Sequence, residues 1–139
     1  MDYRRFGDTV IVRLDKGEDI VEQVLAVARE EQLTAASVSG IGATDDFTVG
    51  VFDLEKKGYN AFHFTGNHEI TALAGNVTTM NGEPYLHLHI NCANAKGQVV
   101  GGHLMRSKIS LTCEIFMQVC GGKADRTHDD ALNLNRITF

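Results

Sequence analysis

Pro84-Tyr85-Leu86-His87-Leu88-His89-Ile90-Asn91, followed closely by Gly97-Gln98-Val99-Val100-Gly101-Gly102-His103-Leu104, carries the alternation of a half-buried β-hairpin. In the first segment Leu86, Leu88, Ile90 and Cys92 interleave with Tyr85, His87, His89 and Asn91, so His87 and His89 point the same way. Ala95-Lys96-Gly97 suits a three-residue loop with glycine in the left-handed position. That loop pairs Asn94 with Gln98 and sets His89 opposite His103. On the other face Leu88 then meets Leu104, Ile90 meets Gly102 and Cys92 meets Val100, and a slip of one residue would drive His103 into the core.

Opposed residues have Cβ atoms roughly 4.5 to 5.5 Å apart, and same-face neighbours along a strand are about 7 Å apart, so three imidazoles can converge on one ion. Three neutral histidines with a vacant position suit zinc first, and also nickel, iron or copper. The plainer alternative is three surface histidines on a solvated sheet face. The pattern favours a metal site formed by His87, His89 and His103.

The remaining composition bounds the possibilities. With 139 residues, 43% of them hydrophobic, the chain can bury a real core and is expected to form one domain over residues 1–139. It has no apolar run long enough to span a bilayer, and Met1-Asp2-Tyr3-Arg4-Arg5-Phe6 does not lead into a signal-like apolar region, so a cytoplasmic location is expected. The three cysteines, Cys92, Cys113 and Cys120, lack thiolate-zinc spacing and read as small hydrophobes of a reducing compartment. A net charge of −5, with no cluster of lysines and arginines, disfavours direct nucleic-acid binding.

In chain order, Thr9 to Leu14 reads as a first strand, followed by an amphipathic helix from Glu18 to about Gln32 with Ile20, Val21, Val24, Leu25, Val27 and Ala28 at helical spacing. Ala35 to Ala43 is glycine-rich and β-like, without the G-x-G-x-x-G of a nucleotide loop. Phe47 to Leu54 and Asn60 to Thr65 read as a hairpin with Phe62 and Phe64 buried. Gly66-Asn67-His68-Glu69 opens a strand through Ile70, Ala72 and Ala74, which Asn81-Gly82 turns into the histidine strand. A two-residue turn at Ser107-Lys108 would pair Leu104 with Leu111, Gly102 with Cys113 and Val100 with Ile115. It would also project Glu114 toward the histidines as a fourth ligand, a partner to a ligand, or a general base. A solvated strand carboxylate is the alternative. His63 and His68 read as incidental and His128 as a surface residue on a polar arm that ends in a short strand.

Gly66-Asn67-His68-Glu69-Ile70, Leu73-Ala74-Gly75-Asn76 and Gly97-Gln98-Val99-Val100-Gly101-Gly102, together with a single helix near the amino terminus, resemble the plants-and-prokaryotes-conserved (PPC) domain over nearly the whole chain. The resemblance implies an α+β fold, a mainly antiparallel β-sheet packed with one N-terminal helix, assembling as a homotrimer. Plant members of that family carry arginine-glycine-arginine hooks and regulate DNA. This chain has no such hook, and it carries histidines at 87, 89 and 103, where plant sequences generally have non-ligating residues, so it resembles the stand-alone prokaryotic form. Two functions are therefore expected to compete: a homotrimer with a three-histidine metal site that binds a small anionic ligand or acts on an unknown substrate, with Glu114 as candidate acid or base, and a DNA-associated regulator or scaffold working through protein partners.

Overall fold

Along residues 1–139, all described by a computed structural model, the elements are β1 (Asp2–Phe6), β2 (Thr9–Asp15), α1 (Ile20–Glu30), β3 (Ala36–Asp53), β4 (Gly58–Met80), β5 (Glu83–Ala93), β6 (Val99–Val119), β7 (Asp125–Asp129) and β8 (Leu134–Thr138). The architecture is mainly antiparallel β-sheet with one helix, as the family resemblance implied. All eight strands belong to one sheet, ordered β1-β2-β6-β3-β4-β7-β8, with β5 bridging β4 and β6. Because β3 also pairs with both β4 and β6, the four long strands form a closed circuit of hydrogen bonding. No helix is long and apolar enough to cross a membrane.

The helix starts where its sequence offers a cap. Asp19 accepts from Val21 N at 2.8 Å and Glu22 N at 3.2 Å, and its second oxygen accepts from Ser107 N at 3.0 Å, so one carboxylate both caps α1 and ties it to β6. Gln32, with φ 52°, ends the helix in a left-handed turn. Ile20, Val24, Val27 and Ala28 lie buried against β5 and β6. Each of the three larger side chains contributes about 2 kcal/mol by leaving water. From the sheet, Val10, Val12, Leu14, Leu88, Ile90, Cys92, Cys113, Ile115 and Met117 are among the residues that join this core.

Between β1 and β6 the structure departs from the sequence-based expectations in five places. A strand, β1, precedes Thr9 and pairs with β2. The glycine-rich segment and Phe47 to Leu54 are a single strand, β3. In β4 the extra residue Thr71 forms a bulge between Ile70 and Ala72, which reverses the alternation, so Leu73 and Val77 are buried while Ala74 is exposed. Phe64 stacks on buried Phe47 with ring centroids 5.2 Å apart, whereas Phe62 is 48% exposed, because the β3–β4 ribbon runs past the part of the sheet that α1 covers.

The fifth departure concerns Ser107-Lys108. These residues do not turn; they lie inside the continuous strand β6. Ser107 is fully buried and donates to Thr44 Oγ1 at 3.0 Å, while Thr44 donates to the Lys108 carbonyl at 2.7 Å. A bulge near Met105, where Thr48 pairs with Arg106 and Val49 with Leu104, produces the inversion of parity that the sequence had suggested was a turn.

Candidate metal centre

β5 and β6 form the hairpin that the histidine pattern requires. His89 pairs with His103, Ile90 with Gly102 and Cys92 with Val100, and Asn94 N donates to Gln98 O at 3.0 Å across the loop. Within that loop Asn94 Oδ1 accepts from Lys96 N and Gln98 N, and Gly97 takes φ 73°. Beyond His103 the strand leaves β5 and continues on β3, where Gly50 opposes His103.

The structure brings His87, His89 and His103 together: one ring nitrogen from each lies within 4.8 Å of the others, and no other such group of His, Cys, Asp or Glu residues occurs in the chain. Ring centroids are 5.2 Å apart for His87 and His89, 5.3 Å for His87 and His103, and 5.7 Å for His89 and His103. Tyr59 of β4 stacks on His103 at 4.7 Å. Burial pushes the His103 imidazole down to about 4, and the neighbouring His87 and His89 act in the same direction. His87 is lowered by burial first, then by His89 and Arg126. Both rings are therefore neutral at pH 7, the form that coordinates a cation.

His103 Nδ1 is buried and has no hydrogen-bond partner. An unsatisfied buried polar atom of this kind costs about 1–3 kcal/mol. The histidines outside the cluster each have a partner: His63 lies 2.8 Å from Asp46 Oδ1, His68 Nδ1 is 2.7 Å from the Gly66 carbonyl, and His128 Nδ1 is 2.9 Å from Asn135 Oδ1. A tetrahedral zinc ion at about 2.1 Å from each nitrogen needs the nitrogens roughly 3.4 Å apart. Side-chain adjustments of about an ångström would close the three donors to that spacing, so the residues fit a first-row transition metal.

Glu114 is not part of this cluster within one chain. Because β6 continues instead of turning at Ser107-Lys108, Glu114 pairs with Arg13 of β2 and Ile41 of β3 and is exposed. Eleven residues of strand separate it from His103, about 35 Å at ~3.3 Å per residue.

The residues from Gly121 onward, expected to be an irregular arm with a short final strand, hold the hairpin β7–β8, whose β8 is that final strand and which packs beside β4 through the parallel pair Thr79 and Asp125. This hairpin walls a cleft of about 560 Å³ that contains His87 and His103 and is lined also by Tyr59, Asn76, Tyr85 and Arg126. His128, read as a surface residue, stands on its rim. Arg126 carried no sequence signal that set it apart from the other polar residues of the arm. Its placement follows from pairing: Asn76 opposes His87, and Thr78 opposes Tyr85, so the groups that hold Arg126 share a face with the histidine strand.

Comparison with known proteins places these features in context. The sequence pattern described as the Plants and Prokaryotes Conserved (PCC) domain matches residues 1–121. Among solved structures, a metal-containing protein of Archaeoglobus fulgidus is similar with TM-score 0.88 and 30% identity, covering 100% of this chain and 99% of that one. A plant- and prokaryote-conserved (PPC) protein of Pyrococcus horikoshii gives TM-score 0.84 and 30% identity over 97% of this chain and 93% of that one. A protein of Bacteroides thetaiotaomicron, provisionally named as DNA-binding, gives TM-score 0.96 and 30% identity over 99% and 96%. The bifunctional protein GlmU of Synechococcus sp. is 32% identical over 114 residues, a match that covers 76% of this chain but 16% of that protein.

Proposed function

Because the chain belongs to the Plants and Prokaryotes Conserved (PCC) domain family, and because its three clustered imidazoles fit a metal, we propose that it is a metal-binding protein whose His87, His89 and His103 hold one divalent ion, zinc first. The observation that carries this reading is the convergence of three ring nitrogens within 4.8 Å, one of them on a ring whose Nδ1 is buried and unpartnered. The metal-containing relative from Archaeoglobus fulgidus supports it. A three-histidine set leaves a coordination position open, and an ion there supplies Lewis acidity to a small ligand or substrate in the adjoining cleft. Tyr59 orients His103 by stacking, and the tail hairpin forms one wall of the cleft beside the histidines.

Residues 1–139 act on this reading as one domain, in the cytoplasm, where the three free cysteines stay reduced. Assembly as a homotrimer is supported by apolar side chains that one chain leaves uncovered, among them Ile41, Leu111 and Phe116, which are 58%, 70% and 47% exposed. The part given to Glu114 as acid or base has no support from the geometry of a single chain. A DNA-associated regulator or scaffold is the second reading, favoured by the provisional name of the Bacteroides relative. It predicts an affinity for duplex DNA that falls steeply with salt, or a protein partner that supplies the basic surface.

The deciding experiment is elemental mass spectrometry of untagged protein purified without chelators, beside a variant with His87, His89 and His103 all replaced by Ala. Close to one ion per chain, lost in the triple variant while the far-UV circular dichroism persists, is the expected result. Wild-type protein that is empty and also refuses added zinc would remove the metal reading.

A further inference from the structure

Arg126 differs from the other paired arginines of the chain. Arg5, Arg13, Arg29, Arg106 and Arg136 are exposed and each reaches a carboxylate, on Glu31, Asp15, Glu83, Asp46 and Asp129 respectively. Arg126 is 7% exposed and forms no ion pair at all. Its contacts are to neutral acceptors: Nε donates to Thr78 Oγ1 at 2.8 Å, Nη1 to the Asn135 carbonyl at 2.7 Å and Nη2 to Asn76 Oδ1 at 2.9 Å. Tyr85 lies beneath it, with Cζ 4.9 Å from the ring centroid. Three of the five guanidinium N–H groups are thus engaged, which leaves two, the number that a bidentate carboxylate or phosphate takes.

A cation removed from water without a counter-charge is expensive, and neutral hydrogen bonds and a ring face offset only part of that cost. The missing charge is not supplied by the surroundings. The cleft that Arg126 lines with His87 and His103 contains no aspartate or glutamate, although acidic residues outnumber basic ones 18 to 13 in the chain. Arg126 stands on β7, so the cationic wall of the histidine cleft is contributed by the C-terminal hairpin.

We infer that Arg126 is the anion-recognition residue of the histidine cleft, and that the cleft takes a small molecule bearing an oxyanion, a carboxylate or a phosphate, whose charge completes the unpaired guanidinium. The inference deepens the reading of the cleft as a ligand site beside the metal, and it rests on that reading for the role of the ion but not for the anion contact itself. The ligand places its oxyanion on Arg126 and directs a second polar group toward the histidines, which lie across the same cleft. Asn76 acts as a positioning residue, since it holds Nη2 from the strand that opposes His87.

The test uses malonate and inorganic phosphate as probes in isothermal titration calorimetry, on full-length protein both zinc-loaded and stripped with chelator. Three variants are compared: Arg126→Met, Arg126→Lys and Asn76→Asp. The last is nearly isosteric and hands the guanidinium an internal carboxylate, so it keeps the hairpin pinned while neutralising the site. Saturable binding of either probe to wild type, weakened at least tenfold by Asn76→Asp and Arg126→Met and less by Arg126→Lys, is expected, with the metal content of every variant unchanged. Persistence of the Arg126-dependent binding in stripped protein would uphold the inference even if the histidines prove to hold no metal. Should Asn76→Asp bind both probes as tightly as wild type, or wild type bind neither, Arg126 is only a structural pin. Should Arg126→Met fail to fold, the Asn76→Asp comparison and the shift of the Arg126 guanidinium ¹⁵N–¹H signals of wild type on adding malonate decide the matter.

Discussion

Replacing Gly75 by Ala tests whether the close approach of β4 to β5 sets the position of His87. A Cβ at Gly75 would run into the carbonyl oxygen of His87 and lie within 2.9 Å of both the His87 carbonyl carbon and Leu88 Cα, so the obstruction is backbone and has no rotamer to escape into. The strands must part locally. Overpacking of this kind costs about 1–3 kcal/mol, and weakening one or two ladder hydrogen bonds adds roughly 1 kcal/mol each, which places the loss near 3–4 kcal/mol. Gly97→Ala is the matched control, because at φ 73° it has nothing within 4 Å and pays only the left-handed backbone penalty of about 1 kcal/mol. Urea unfolding of chelator-treated protein should therefore separate the two variants by about 2–3 kcal/mol. Displacement of His87 from His89 and His103 should also weaken zinc binding by roughly 10- to 100-fold, the range seen when groups that orient a ligand are disturbed. Equal urea midpoints for the two variants, with zinc affinity intact in Gly75→Ala, would refute the argument that this contact positions the site.

Acid should destabilise the metal-free protein before its carboxylates titrate. His103 is held at about 4 and His87 is also lowered, so between their ordinary value of 6.5 and about 4 the unfolded chain binds more protons than the folded one. Stability is then full above pH 6.5 and declines as the pH falls toward 4, by no more than about 3.5 kcal/mol for His103 at ~1.4 kcal/mol per pH unit, and less to the extent that cleft water screens it. Urea midpoints measured from pH 7.5 to 4.5 should show that slope in wild type and a shallower one in His103→Leu; a midpoint flat across the range contradicts the burial of a neutral ring. Asp19→Ala should cost about 2 kcal/mol, since it removes the cap of α1 and leaves Ser107 N without its acceptor, whereas Asp19→Asn should cost less. Circular dichroism melts of both variants check this, and identical melting temperatures would show that the cap is dispensable.

The histidine hairpin was legible because its two constraints are local and agree. Alternation from Leu86 to Cys92 assigns each side chain to a face, and the loop around Asn94 sets the register, so the opposition of His89 and His103 follows from side-chain parity alone. Helix α1 was equally legible, with an apolar stripe and Asp19 at its start. Where bulges intervene, parity becomes ambiguous. Leu104 is buried at an even position and Ile109 at an odd one, which a two-residue turn and a single bulge explain equally well. The turn brought Glu114 to the histidines; the bulge that the structure contains sends it to the far end of β6. Thr71 reversed the alternation of β4 in the same way.

What the residue pattern determined by itself was thus the histidine register and the apolar stripe of α1, because both depend on neighbours a few residues apart. Tertiary structure decided which strands close the circuit, that Ser107 is satisfied by Thr44 instead of by solvent in a turn, and that a polar C-terminal segment folds back to place Arg126 beside His87. Contacts such as Asn76 with Arg126 join residues 50 positions apart. Their energy depends on burial of a charge and on the acceptors that the fold supplies, neither of which is encoded in the spacing of the residues along the chain.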